Sequence, residues 1–245
     1  MLPNLLVRQG GKFFYRKKII DEFPDDYDTY VEPFIGGGSI LLNAPIVKHM
    51  YGSDTDDRIV ETFKLMKKVP TDVIRQFNFF GSRERFYEIK DYEPKNDAEK
   101  LYKLLYLNKN SFMGKSESPN SHLTKKTGAE FFRKLDEIKE RLKKIKISKM
   151  DYKEAIRKHD SPTTFFYLDP PYYKTDVSSY KTGNINHEEL RQILGETKGK
   201  WLMSHNDTPF IRELYKGYNI TPLITKQADP QGGTRKTKEV LISNY

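Results

Sequence analysis

Apolar positions follow two different rhythms along this chain. Between residues 56 and about 107 they recur every three or four places, as at Ile59, Phe63 and Met66 and again at Ala98, Leu101, Leu104 and Leu105. That spacing predicts helices, each burying one face. It returns at Phe131, Phe132, Leu135, Ile138, Leu142 and Ile145, with a basic outer face, and over residues 187–194. Short continuous apolar runs at 27–31, 50–54, 146–152, 163–168, 201–207 and 239–243 predict strands. Strands alternating with helices make an α/β fold, a doubly wound and mostly parallel sheet flanked by helices. The long helical stretch interrupts that alternation. Residues 1–56 and 148–245 are therefore expected to form one domain, with residues 57–147 inserted into it. Residues 108–128 are polar and rich in Ser, Lys and Asn, and 227–238 are expected to form a flexible basic loop.

The run Thr163-Thr164-Phe165-Phe166-Tyr167-Leu168 is apolar enough to lie buried on both sides. It ends at Asp169-Pro170-Pro171-Tyr172, where two prolines that donate no N–H force the chain out of the sheet. Open α/β sheets bind ligands at that carboxyl edge. A carboxylate, a carbonyl-rich turn and an aromatic face together suit a flat amine. A plain Pro-Pro turn remains an equal alternative on these residues alone.

Upstream, Val31-Glu32-Pro33-Phe34-Ile35-Gly36-Gly37-Gly38-Ser39 reads as a strand, a tight glycine loop and the start of a helix at Ser39. N–H groups at a helix start favour an anionic group such as a carboxylate. Asp54 ends the next predicted strand about 20 residues on, where such folds place an acid on ribose hydroxyls. Loop and acid together point to an adenosine-containing ligand, with a purely structural loop as the alternative. Gly10-Gly11-Lys12 offers backbone N–H groups and a lysine to a ligand, or simply a turn.

Composition narrows the chemistry. With no cysteine the chain has no disulfide, no thiolate-ligated zinc and no thiolate nucleophile, and its five histidines show no metal-ligand spacing. No metal is expected. No signal peptide and no span of about 18 apolar residues is visible, so an intracellular, non-secreted protein without a membrane partner is expected. The net charge of +9 favours a polyanionic partner. Residues 109–149 hold twelve Lys or Arg against five Asp or Glu, so most of the excess lies in the predicted insertion.

Six blocks in one order resemble the Dam-type (D12 class, alpha group) DNA adenine-N6 methyltransferases nearly end to end. They are Gly10-Gly11-Lys12, Glu32-Pro33-Phe34 with Gly36-Gly37-Gly38, residues 107–114, Asp169-Pro170-Pro171-Tyr172, residues 204–208 and residues 232–236. The resemblance implies a Rossmann-like methyltransferase that moves a methyl group from S-adenosyl-L-methionine to N6 of a flipped-out adenine in a short sequence of double-stranded DNA. It implies catalysis by Asp169, Pro170, Pro171 and Tyr172. The implied cofactor contacts are Arg8, Gly10, Gly11, Lys12, Glu32, Phe34, Gly36, Gly37, Gly38, Ser39, Asp54, Asp151, Tyr152 and Asp169. Arg8 departs from the family, which often has an aromatic residue there. DNA contacts are implied at Lys109, Asn110, Phe112, Met113, Lys115, Lys125, Lys126, Asn206, Arg235 and Lys236, with residues 57–147 recognising the target. A partner restriction endonuclease is possible in such systems. An RNA adenine-N6 methyltransferase and a catalytically silent nucleic-acid-binding module are the alternatives.

Overall fold

The computed structural model describes residues 1–8, 10–121, 123, 129–174, 185–228 and 234–245, with the backbone alone for 224–228 and 234–237. The strands are β1 (Thr29–Glu32), β2 (His49–Asp54), β3 (Ile145–Lys149), β4 (Thr164–Leu168), β5 (Lys200–Asn206), β6 (Asn219–Ala228) and β7 (Thr234–Ser243). They follow the order β3-β2-β1-β4-β5-β7-β6. The helices are α1 (Arg16–Ile20), α2 (Asp57–Lys68), α3 (Thr71–Arg75), α4 (Arg83–Asp91), α5 (Asp97–Asn110), α6 (Ala129–Arg133), α7 (Leu135–Lys143), α8 (Tyr152–His159), α9 (His187–Glu196) and α10 (Pro209–Leu214). Residues Phe112–Gly114 form one turn of 3-10 helix. The mixed sheet with interleaved helices is the α/β architecture expected.

Two compact units divide the chain. One comprises Met1–Arg16, Ile35–Ile46 and Asp54–Lys149, the other Lys17–Phe34, Val47–Ser53 and Met150–Tyr245. In the second unit β1 pairs parallel with β2 and β4, and β4 with β5, whereas β7 runs antiparallel to β5 and β6. Side chains alternate across this sheet because strand residues point to opposite faces. Val31, Phe166, Leu168, Trp201 and Met203 enter one buried cluster with Ile156, Leu190 and Ile211. Tyr30, Phe165 and Tyr167 meet Phe23 on the other face. Buried on both sides, β4 needs the unbroken apolar run read from the sequence.

The first unit is mainly helical. Ile59, Phe63, Met66, Leu101, Leu105, Ile138 and Leu142 are all buried, as their spacing predicts. Asp56 caps α2 by accepting from the Arg58 N–H at 3.0 Å, and Asn96 caps α5 through the Glu99 N–H at 3.0 Å. Two cations cap from elsewhere. The Lys139 ammonium donates to the Met66, Lys67 and Val69 carbonyls at the end of α2, and Arg141 donates to Leu41 and Ala44.

Two expectations are corrected. No regular helix starts at Ser39. Residues 39–44 make turns, with Leu42 N–H donating to Gly38 at 3.1 Å and Ala44 N–H to Ile40 at 2.8 Å, and the Ser39 hydroxyl donates to Asn4 at 2.9 Å instead of capping. No helix N-terminus is therefore present at Ser39 to favour an anionic group. Residues 227–228 and 234–238 are strand rather than loop, because β6 and β7 continue pairing out to Ala228 opposite Thr234, while 229–233 lie outside the described residues. β-branched Ile and Thr residues in both arms favour that ladder over a basic loop.

Candidate active site

The carboxyl ends of β1 and β4 lie side by side in the second unit, where the strand order reverses direction. β1 ends at Glu32, and Asp169 follows β4. Glu32 is buried and accepts from the Tyr30 hydroxyl at 2.7 Å. Asp169 accepts from the Ser204 hydroxyl at 2.7 Å, and Ser204 lies 3.0 Å from the Tyr167 hydroxyl. Ser204 has one proton and gives it to Asp169, so Tyr167 donates to Ser204. Burial, with the Asp169 charge adding to it, pushes the Tyr167 hydroxyl well above its ordinary pKa, so it stays a donor. This chain of hydroxyls sets the orientation of the Asp169 carboxylate.

Pro170 and Pro171 are buried and carry the backbone away from β4. The Tyr172 ring stacks on His205, centroids 5.0 Å apart, and its hydroxyl donates to the buried Glu239 at 2.7 Å. His205 is itself fully buried, with Nε2 3.4 Å from Nδ1 of His187. Asn206 donates to the Tyr173 carbonyl at 3.0 Å, while its own oxygen is buried without a hydrogen-bond partner. Phe34 stacks on Tyr152 at 5.4 Å, and Asp151 caps α8 through the Lys153 N–H at 2.9 Å. The Tyr152 hydroxyl is buried and unpartnered.

The first unit holds the glycine loop and Asp54. The two Asp54 oxygens accept from the Gly36 N–H at 3.1 Å and the Asp56 N–H at 3.0 Å. Burial raises its pKa above the usual aspartate range, against the lowering effect of those two N–H groups. Gly38 has φ +80°, and a Cβ there would strike the Phe63 ring, so this position demands glycine. Gly37 accepts from the Leu5 N–H at 3.1 Å. Lys12 is buried with its ammonium 2.8 Å from the Gly10 carbonyl, and Gly11 donates to the Arg8 carbonyl at 3.2 Å. Arg8 reaches Asp56 at 3.3 Å, as does Arg58 at 2.9 Å. Burial raises the Asp56 pKa, but the two guanidinium groups outweigh it and leave the carboxyl below its ordinary range.

Within the same unit the expected DNA contacts occupy different settings. Lys109 places its ammonium 4.8 Å from the Phe131 ring and 5.7 Å from Phe79, and burial lowers its pKa to about 8. Asn110 is buried and donates to the Tyr106 and Phe79 carbonyls at 3.0 and 3.3 Å. Phe112 and Met113 are exposed, at 52% and 38%, on a turn closed by the Ser111–Pro119 bridge. The Lys115 carbonyl accepts from Arg58 at 3.1 Å. Lys125 and Lys126 lie outside the described residues, as do the side chains of Arg235 and Lys236. Among the described residues no His, Cys, Asp or Glu group is arranged to hold a metal, and no helix is long and apolar enough to cross a membrane.

The chain is similar in sequence to known proteins. The model of the D12 class N6 adenine-specific DNA methyltransferases matches residues 9–228. The chain belongs to this family. Among its relatives is the type II methyltransferase M.CviBI of Paramecium bursaria Chlorella virus NC1A, 26% identical over 96% of this chain and 97% of the relative. M.MjaIII of Methanocaldococcus jannaschii is 24% identical over 96% of each chain. The DNA adenine methylase of Haemophilus influenzae is 23% identical over 94% of this chain and 88% of its own. Membership makes this chain an adenine-specific DNA methyltransferase, and methyl transfer in the family depends on S-adenosylmethionine.

Ser204, Tyr167, Glu239, Tyr30 and Arg58 escaped the sequence reading. Ser204 sits in a polar strand end, where no local signal sets it apart from its neighbours at 205–208. Glu239 carried a visible signal, an acid heading the run Val240-Leu241-Ile242, but its partner is 67 residues away.

Proposed function

We propose that this enzyme methylates N6 of an adenine flipped out of a short specific sequence in duplex DNA, with Asp169 as the central catalytic group. The supporting observation is the Tyr167–Ser204–Asp169 hydrogen-bond chain at the end of β4. The adenine N6 lone pair is delocalised into the ring, so the amine is a weak nucleophile. Asp169 and the Pro170 carbonyl accept the two N6 hydrogens, which favours the more tetrahedral nitrogen of the transition state. Bound S-adenosylmethionine supplies a methyl sulfonium that is already electrophilic. The chain's task is mainly positioning, and Asp169 receives the proton that leaves N6. A base inside a duplex is out of reach, so it leaves the stack at a cost of a few kcal/mol. Tyr172 stacks on it.

The donor set suits the cofactor. Each Asp54 oxygen accepts one backbone N–H and keeps a lone pair for a ribose hydroxyl. Phe34 and Tyr152 form an aromatic pair next to Asp151, a place for the adenine ring. Glu32, Lys12, Arg8 and the loop Gly36 to Ser39 are assigned to the methionine end. The recognition role goes to residues 57–147, with Phe112 and Met113 at the DNA. Relatives named as type II methyltransferases make a partner restriction endonuclease part of the proposal.

The test is methyl transfer from labelled S-adenosylmethionine to a pool of unmethylated duplex DNA, with modified sites mapped by sequencing. N6-methyladenine within one short motif is the expected result. Asp169→Ala should abolish transfer while S-adenosylhomocysteine still binds in calorimetry. Labelling of structured RNA but not DNA, or full activity of Asp169→Ala, would overturn the reading.

A further inference from the structure

Glu239 is an acid on β7, followed by three buried apolar residues and itself only 5% exposed. Burying a carboxylate there costs free energy that a leucine would not. It accepts a hydrogen bond from the Tyr172 hydroxyl at 2.7 Å, and a register neighbour across the sheet is Asn206 at the end of β5. The adjacent β5 residue, His205, stacks on the same tyrosine ring with planes 22° apart. Tyr172 is thus held by its hydroxyl from β7 and by one ring face from β5. Asp169, three residues earlier, is held from β5 through Ser204.

We infer that Glu239 is a positioning residue that fixes the pitch of the Tyr172 ring, so that a base stacked on it presents N6 to Asp169. The inference rests on the stacking role assigned to Tyr172 above. It means the phenol of Tyr172 matters as well as its ring. A ring that only stacks needs no hydroxyl, whereas a ring that must stand at one angle needs an anchor at its far end.

Single-turnover methylation of a duplex carrying the mapped site tests this. Fluorescence of 2-aminopurine at the target position reads base stacking, and calorimetry with S-adenosylhomocysteine reads the cofactor site. Glu239→Ala should slow the methylation step by about tenfold or more, since small misplacements cost up to about 100-fold. It should change the 2-aminopurine signal and leave cofactor affinity unaltered. Glu239→Gln, which keeps an acceptor oxygen, should recover most of the rate. Tyr172→Phe keeps the ring and leaves no cavity, and it should match the loss of Glu239→Ala even if the latter folds poorly. Combining the two should cost no more than the worse one alone. A wild-type rate for Tyr172→Phe, or losses that multiply in the double variant, overturns the inference. Tyr172→Ala separates the two layers. Slow Tyr172→Ala beside fast Glu239→Ala rejects only the positioning role, while fast Tyr172→Ala removes the stacking reading and this inference with it.

Discussion

Asp54 shows how burial shapes a single residue. The ribose role proposed for Asp54 requires an ionised carboxylate, yet burial makes ionisation harder and raises its pKa. A raised folded-state pKa means that the proton returns at a higher pH than for an ordinary aspartate. Affinity for S-adenosylhomocysteine should therefore weaken on acidification before a normal aspartate titrates, and Asp54→Asn should bind weakly with no such dependence. Calorimetry across the acid range checks it, and a wild-type curve parallel to that of Asp54→Asn would count against Asp54 as the ribose acid. The stability sign at Asp56 is opposite. Its pKa is lowered, so the ion cluster with Arg8 and Arg58 is fully in place above the unfolded aspartate pKa. That contribution is lost as pH falls through the folded value. That a strand ends at Asp54 could be read from the sequence after the glycine loop. The cluster of Asp56 and Arg58 with Arg8 could not, because nothing in a sequence pairs them.

Among the elements, the end of α5 is tied to a turn with a left-handed residue. Asn108 accepts from the Val7 N–H at 2.8 Å and donates to the Val7 and Gly114 carbonyls at 3.0 Å, tying the N-terminal segment to the turn that carries Phe112 and Met113. Gly114 has φ +72°, and a Cβ would collide with the Val7 carbonyl. Gly114→Ala should then destabilise by at least about 2 kcal/mol, from left-handed strain together with the clash. For a chain of this size each kcal/mol lowers Tm by roughly 2–4 °C. A melting curve unchanged by Gly114→Ala would remove this account of the turn. Helix stripes and buried strands were legible because burial imposes a period. The turn was not, since its residues answer to Val7, about 100 positions distant in sequence.

At the scale of the whole molecule, charge is where counting misleads. Residues 109–149 carry twelve cations, but Lys109 lies over two aromatic rings while Lys139 and Arg141 cap backbone carbonyls. Such groups are committed to the fold and are not available to phosphates. DNA affinity should fall linearly with salt on logarithmic axes, by about 0.9 per phosphate neutralised. Lys144→Ala, at an exposed position, should reduce that slope by about one. Lys139→Ala should leave the slope unchanged and lower the melting temperature by removing the cap of α2. Binding titrations at several salt concentrations separate the two classes, and a smaller slope for Lys139→Ala would contradict the capping role.

Periodicity, glycine spacing and the Asp169-Pro170-Pro171-Tyr172 run determined the α/β class, the strand that leads into Asp169 and the family. These are local properties, since a side chain's period and a proline's missing N–H act within a few residues. Which hydroxyl orients Asp169, which acid anchors Tyr172, that the run after Ser39 forms turns, and which lysines face inward were decided only by the tertiary structure. Each depends on a partner brought close by packing, and hydrogen bonds and desolvation act through distance in space, which sequence separation does not encode.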